Sequence, residues 1–160
     1  MQNITIICVG KLKEKYLKDA ACEYAKRLSS YCKLNIVEID EERLPDRLSE
    51  NVISAAMEKE AERIEEKIPA GAYTIALCIE GKQLSSQEFS TIFEKTALEG
   101  FSNLAFIIGG SFGLAKRIKH LAKSKISFSS LTFPHQLFRV MLLEQIYRAF
   151  QIRTGGKYHK

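Results

Sequence analysis

The stretch Leu104-Ala-Phe-Ile-Ile-Gly-Gly-Ser-Phe-Gly113 decides the fold class of this chain. Its first five residues form a continuous apolar run of the length and composition typical of a strand that is buried on both faces. The glycines end that strand, and a short basic helix is predicted over 114–123. A buried strand that enters a helix through a glycine-rich turn is the repeating unit of an α/β sheet.

The same alternation continues on both sides of this stretch. Predicted helices separate the apolar runs. The signals for them are an apolar stripe, the capping residue Ser49, and stops before Pro69 and Gly100. Strands that alternate with helices predict a mainly parallel sheet covered on both faces, which is a three-layer α/β sandwich. At 160 residues the chain is expected to be one domain, 1–160. The predicted strands are 4–9, 34–39, 73–79, 104–108 and 126–129, and the predicted helices are 16–31, 49–68, 86–98, 114–123 and 136–152.

Composition narrows the class of protein. With 46% hydrophobic and 27% charged residues the chain is expected to be compact. No apolar run approaches the roughly 20 residues of a membrane span, and the first residues lack a signal-peptide pattern, so we expect a cytoplasmic protein. The four cysteines form no CxxC pair and lack histidines at ligand spacing. Buried free thiols and no metal site are therefore expected.

Charge is distributed unevenly along the chain. Residues 38–66 contain eleven acidic and four basic side chains, whereas residues 111–160 contain ten basic side chains and one acidic side chain, Glu144. A basic surface favours a polyanionic partner. For Lys116, Arg117, Lys119 and Lys123, a simple solvated helix face is an equally good interpretation, and the acidic segment is interpreted as a solvated face.

In a parallel sheet the ligand crevice lies beyond the carboxyl ends of the strands. The loops after Ile79, Ile108 and Ser129 are therefore the candidate functional loops. The loop Gly109-Gly-Ser-Phe-Gly113 matches neither the dinucleotide fingerprint nor the P-loop. Taken alone, it is either a ligand-binding turn or only a tight turn.

The last helix follows the loop Ser129-Ser-Leu-Thr-Phe-Pro-His135. Its apolar residues cover several sides, which indicates two burial partners, the sheet of its own domain and a second subunit. Glu144 and Arg148 are four residues apart, the spacing of an ion pair on the exposed side of a helix. His135 stands at the start of this helix, where a histidine is more often capping or solvated than catalytic.

Together, Phe106-Ile-Ile-Gly-Gly-Ser-Phe-Gly113, Ser127-Phe-Ser-Ser-Leu-Thr-Phe-Pro-His-Gln136 and the ending Tyr158-His159 resemble the large-subunit ribosomal RNA pseudouridine methyltransferases of the SPOUT class. The resemblance covers essentially the whole chain, from Val9-Gly-Lys-Leu-Lys13 to the last residue. It implies a trefoil knot in the C-terminal part, a homodimer, and S-adenosylmethionine as the methyl donor. The donor-binding residues that it implies are Leu77, Gly109, Phe128, Ser129, Ser130, Leu131, Thr132 and Phe133.

The resemblance also implies a substrate, which is N3 of the pseudouridine at position 1915 of 23S ribosomal RNA in the assembled ribosome. The N3–H group is a weak acid, so its proton must leave as the methyl group arrives. We hypothesise that Arg139 or Arg148 stabilises the negative charge on the uracil ring. His159 or Tyr158 would assist removal of the proton.

Two other functions remain open at this stage. A doubly wound oxidoreductase or flavin-binding domain would explain the sheet and the glycine loop, but its first-strand fingerprint and acidic ribose partner are not found. A noncatalytic ribosome-binding module would keep the basic C-terminal half and lack methyl transfer.

Overall fold

A computed structural model describes residues 1–160, and five strands alternate with five helices along the chain. The order is β1 (Gln2–Val9), α1 (Lys15–Leu28), β2 (Cys32–Ile39), α2 (Glu50–Lys67), β3 (Tyr73–Gln83), α3 (Ser86–Leu98), β4 (Asn103–Ile108), α4 (Lys116–Leu121), β5 (Ser124–Ser127) and α5 (His135–Arg153).

The five strands form one sheet in the order β2-β1-β4-β3-β5, and every neighbouring pair is parallel. All strands therefore end at the same edge, which we call the carboxyl edge. The predicted α/β class with a parallel sheet is confirmed.

Two hydrophobic clusters cover the two faces of the sheet. Side chains alternate along β1, so that Ile4 and Ile6 belong to the larger cluster with α1, α3 and α5, while Ile7 belongs to the smaller cluster with α2 and α4. Strands buried on both faces require apolar residues at successive positions, which is the pattern that the sequence shows. The result is the predicted arrangement of three layers.

Helix starts follow the capping residues. Ser49 accepts a hydrogen bond from Val52 N at 3.2 Å, and Ser85 and Glu88 form a reciprocal capping box at the start of α3. The long helix α5 differs, because Pro134 precedes it and no side chain caps its first turn.

The sequence-based bounds are wrong around β5. Strand β3 continues to Gln83 instead of ending at Ile79, and its pairing with β5 shifts register between Leu77 and Lys82. Helix α4 ends at Leu121, because Lys123 N already donates to the Thr74 carbonyl at 2.9 Å and carries the chain into the sheet. Strand β5 consequently starts at Ser124, two residues before the prediction.

Cys8 and Cys32 are buried and unpaired, as expected, and Cys78 is half-buried. The expectation is wrong for Cys22, which is exposed on α1. None of the five helices has both the length and the apolar character needed to cross a membrane.

Candidate active site

A cavity of about 810 Å³ opens at the carboxyl edge of the sheet, and we call it the edge cavity. Its volume lies within the roughly 300–1,000 Å³ typical of small-molecule sites. Its walls are formed by residues 77–80 within β3, by the segments that follow β4 and β5, and by the start of α5. The lining residues are 77–80, 108–114, 126–129, 131–135, Lys119 and Phe138.

The edge cavity brings together three segments that are far apart in sequence. Seven of the eight residues implied as donor-binding line it, namely Leu77, Gly109, Phe128, Ser129, Leu131, Thr132 and Phe133. Ser130 is not part of the lining, whereas His135 is. The predicted loops after Ile108 and Ser129 therefore meet here. The predicted loop after Ile79 is wrong, because the chain continues as strand β3 to Gln83, and residues 77–80 line the cavity from within that strand.

The glycine loop is both a tight turn and a wall of the edge cavity. Gly113 N donates to the Gly110 carbonyl at 3.0 Å, and Gly113 has a φ of 82°. A Cβ atom on Gly109 would lie 2.5 Å from the carbonyl carbon of Gly113. The loop can close in this way only without a side chain at position 109.

The segment after β5 is held by its own serines. Ser127 Oγ donates to the Ser129 carbonyl at 2.9 Å, and Ser129 Oγ accepts from Leu131 N at 3.0 Å. The Phe128 ring packs against Phe138 of α5, with 4.7 Å between the ring centroids. These contacts fix the segment between the sheet and the long helix.

A second cavity of about 450 Å³ adjoins the first, and we call it the side cavity. It shares Ile126, Ser127, Phe128 and Phe133 with the edge cavity. Its other lining residues come from α1, the start of α3 and α5, namely Tyr24, Leu84, Ser85, Ser86, Phe89, Val140, Met141, Glu144 and Gln145. No local pattern in the sequence predicts this cavity, because only the tertiary structure brings these helices together.

The C-terminal tail folds back onto α5 and forms what we call the tail cluster, which consists of Glu144, Arg148, Tyr158 and His159. Glu144 Oε1 accepts from Arg148 Nε at 3.0 Å and from the Tyr158 hydroxyl at 3.1 Å. Arg148 Nη1 lies 3.2 Å from His159 Nδ1. The pair Glu144 and Arg148 is largely buried, with side-chain exposures of 18% and 25%, so its interpretation as an exposed pair is wrong.

Two pKa shifts follow from this packing. Burial raises the pKa of the Tyr158 phenol well above its ordinary value, and the nearby Tyr24 and the hydrogen bond to Glu144 add to the effect. The hydrogen bonds that Arg148 donates to Glu144 raise the pKa of Arg148. At neutral pH the cluster therefore contains a protonated phenol and a guanidinium cation.

Arg139 lies elsewhere. Its side chain is 4% exposed, and its guanidinium binds Glu38 Oε2 at 2.6 Å and the Gly10 carbonyl at 3.0 Å. Arg139 lines neither cavity. The four residues hypothesised as catalytic thus fall into two places, with Arg148, Tyr158 and His159 in the tail cluster and Arg139 in the core.

The basic face of α4 is partly neutralised within the chain. Arg117 binds Glu65 of α2 with Nε and Nη2, at 2.9 and 2.6 Å, and Lys119 pairs with Glu80 at the wall of the edge cavity. The acidic segment is therefore a partner of α4 as well as a solvated face. No group of three or more histidine, cysteine, aspartate or glutamate side chains is placed to hold a metal ion.

Comparison with known proteins gives consistent results. A family model described as "Predicted SPOUT methyltransferase" matches residues 2–159. The chain is 54% identical over 158 residues to a protein of Clostridium novyi (strain NT) named "Ribosomal RNA large subunit methyltransferase H", and 53% identical to the protein of that name from Leuconostoc mesenteroides. In both comparisons 99% of each chain is covered.

Solved structures agree on the fold. A probable methyltransferase from Bordetella pertussis superposes with a TM-score of 0.57 at 14% identity, covering 92% of this chain and 96% of that one. A probable methylase family protein from Haemophilus influenzae gives 0.54 at 13% identity, over 99% of this chain and 71% of the other. Because the family model matches nearly the whole chain and a relative is 54% identical to it, this chain belongs to the SPOUT methyltransferase family.

Proposed function

We propose that this protein transfers a methyl group from S-adenosylmethionine to N3 of the pseudouridine at position 1915 of 23S ribosomal RNA in the assembled ribosome. The observation that carries the proposal is the meeting of residue 77, the glycine loop and the segment 128–133 in one cavity. The name of the close relatives, ribosomal RNA large subunit methyltransferase, supports the RNA substrate.

The edge cavity fits the methyl donor. Leu77, Ile108 and Phe138 provide apolar surface for a flat adenine ring, while the glycine loop and the segment 128–133 place main-chain donors and acceptors on the same cavity. Such a mixture of apolar walls and a few polar groups suits a nucleoside with an amino-acid arm. When bound, S-adenosylmethionine supplies an electrophilic methyl group to the acceptor.

On the acceptor side we assign the anion-stabilising role to Arg148 rather than to Arg139. Arg148 keeps 25% of its side chain exposed. It lines neither cavity itself, but its partner Glu144 lines the side cavity, which shares a wall with the edge cavity. A guanidinium in this position can stabilise negative charge that develops on a uracil oxygen. Arg139 already uses its guanidinium within the core.

The tail also restricts which group takes the proton. Tyr158 donates to Glu144 and has a raised pKa, so it does not serve as the base at neutral pH. Arginine is only a donor, so His159 Nδ1 accepts from Arg148 in the present arrangement. When Arg148 turns toward the uracil oxygen, the lone pair on His159 Nδ1 becomes free to take the N3 proton.

We further propose a homodimer, a C-terminal trefoil knot and a cytoplasmic location. The apolar side chains of Tyr16, Leu131 and Leu137 are exposed by 69%, 69% and 39%, as expected for surface that a second subunit covers. The knot is proposed from family membership, and the position of β5 beside β3 at the sheet edge is compatible with it.

The decisive experiment is mass spectrometry of 23S ribosomal RNA from a strain that lacks the protein. We expect one methyl group to be lost from one pseudouridine, and to return with the intact gene but not with a gene lacking residues 158–160. An unchanged RNA mass would refute the proposed function. Calorimetry with S-adenosylmethionine separates the alternatives, because binding without transfer to ribosomes indicates the noncatalytic module.

A further inference from the structure

Arg139 is the most deeply buried charged side chain of the chain, at 3% exposure. Two of its nitrogens are bound by Glu38 and the Gly10 carbonyl, while its Nε has no partner. Burying a guanidinium with an unbonded N–H is costly, and an apolar residue of similar size would usually stabilise a core as well or better. The pair of Arg139 and Glu38 therefore indicates a role other than stabilising the fold.

The contacts of Arg139 converge on the turn between β1 and α1. Gly10 has a φ of 88°, and its N–H donates to the Ile39 carbonyl at 2.8 Å. His135, one helical turn before Arg139, places its Nε2 3.5 Å from where a Cβ atom on Gly10 would lie. Between them in sequence, Gln136 accepts a hydrogen bond from Lys13 N at 2.9 Å. The first turns of α5 are thus attached to this turn by two hydrogen bonds, one from Arg139 to the Gly10 carbonyl and one from Lys13 N to Gln136, and His135 lies close to it.

These attachments hold the start of α5, where no side chain caps the helix. Pro134 at the start of the helix makes no side-chain capping bond, and the preceding segment 128–134 forms a wall of the edge cavity. His135 and Phe138, which directly precede Gln136 and Arg139 in sequence, line the same cavity. The position of the first two turns of α5 therefore determines the shape of that wall.

We propose that Arg139 is a positioning residue for methyl-donor binding. With Glu38 it fixes the start of α5 to the carboxyl ends of β1 and β2, and so holds the segment 128–134 in the shape that receives the donor. This inference rests on the proposed function. It assigns Arg139 to the geometry of the donor site instead of to contact with the acceptor base.

The test compares Arg139→Lys, Glu38→Gln and the double variant with the wild-type protein. Arg63→Lys is the matched control, because Arg63 also binds one carboxylate and one main-chain carbonyl, those of Glu42 and Asp40, at 2.6 and 3.1 Å. Four quantities are measured on the full-length protein: the Kd of S-adenosylmethionine by calorimetry, KM for the donor, kcat on ribosomes at saturating donor, and the Tm.

We expect each single variant to raise Kd and KM for the donor by about tenfold or more, with kcat reduced by less than about threefold. The double variant should bind the donor no less tightly than the weaker-binding single variant, because both substitutions break the same ion pair. Arg63→Lys should lower the Tm by less, because the Arg63 side chain is 39% exposed, and it should leave the donor Kd unchanged.

Three outcomes would overturn the inference: an unchanged donor Kd in Arg139→Lys, an equal rise of Kd in Arg63→Lys, or a fall in kcat at saturating donor without a change in Kd. The last outcome would return Arg139 to a catalytic role. Failure of the proposed function is distinguishable, because the wild-type protein itself would then bind no donor or would transfer no methyl group to ribosomes.

Discussion

The hydroxyl group of Tyr158 donates a hydrogen bond to Glu144 Oε1 at 3.1 Å, across fourteen residues of sequence. The Tyr158 ring also lies 5.0 Å from the Tyr147 ring and 4.8 Å from the Arg148 guanidinium carbon. Chain ends are usually poorly ordered unless such contacts hold them. This contact therefore makes the tail a part of the candidate site and places His159 beside Arg148.

Replacement of Glu144 should separate binding from transfer. Glu144→Gln removes the charge that orients Arg148 and weakens the bond from Tyr158, so we expect kcat to fall by roughly 10- to 100-fold. The Kd of S-adenosylmethionine, measured by calorimetry, should change by less than about twofold, because Glu144 does not line the edge cavity. Glu94→Gln, an exposed carboxylate on α3, is the control. A weakened donor affinity with normal kcat would contradict this assignment.

The two tail residues should differ in importance. Tyr158→Phe retains the ring contacts and loses one hydrogen bond, worth about 1 kcal/mol, so a small effect on kcat is expected. His159→Ala removes the proposed base and should lower kcat by about 100-fold. The pKa of Tyr158 is raised above its ordinary value, so the phenol stays protonated at neutral pH and Tyr158→Phe should leave the shape of the pH–rate profile unchanged. A displaced profile would make Tyr158 the titrating group.

The glycine loop allows a paired test of stability and binding. In Gly109→Ala the new methyl group would lie 2.5 Å from Gly113 backbone, and we expect a loss of about 2–3 kcal/mol in the free energy of unfolding. Donor binding should be lost as well. Gly71→Ala introduces strain at a φ of 70° but meets no atom within 4 Å, so it should cost about 1 kcal/mol. Denaturant titration and calorimetry measure both effects, and equal losses in the two variants would contradict the steric argument.

Buried thiols should make the protein less stable in alkaline solution. Burial raises the pKa of Cys32 from 9.0 to about 11, so the unfolded chain releases this proton at lower pH than the folded chain. The contribution of the Cys32 thiol to the free energy of unfolding is fully present below pH 9 and is lost as pH rises to about 11. Relative to wild type, Cys32→Ala should lose less free energy of unfolding over that range, by on the order of 2 kcal/mol.

The difference is read from urea titrations of the two proteins at matched pH. If the free energy of unfolding changes with pH by the same amount in wild type and Cys32→Ala, the thiol titrates alike in the folded and unfolded states, and the prediction is wrong. In the native protein a thiol reagent should react first with Cys22, which is exposed. Cys8→Ala is a less suitable variant, because Cys8 lies beside the Arg139 and Glu38 pair.

The regular elements were largely predictable because their signals are local. Uninterrupted apolar runs such as Leu104–Ile108 are typical of strands covered on both faces, and Ser49 and Ser85 mark helix starts through bonds to residues three positions away. The extension of β3 to Gln83 gave no such signal. Its residues Glu80, Lys82 and Gln83 are polar, and they become a strand only because β5 pairs beside them.

For the site, the sequence by itself predicted the meeting of two loops, since parallel strands must end at one edge and the segments after β4 and β5 must therefore lie together. It also placed Glu144 and Arg148 on one helix face by their spacing. Only the tertiary structure decided which arginine is available. Arg139 meets Gly10 and Glu38 from 129 and 101 residues away, and the tail brings His159 to Arg148. Burial and long-range hydrogen bonds depend on how elements pack together, and a local pattern of residues does not encode them.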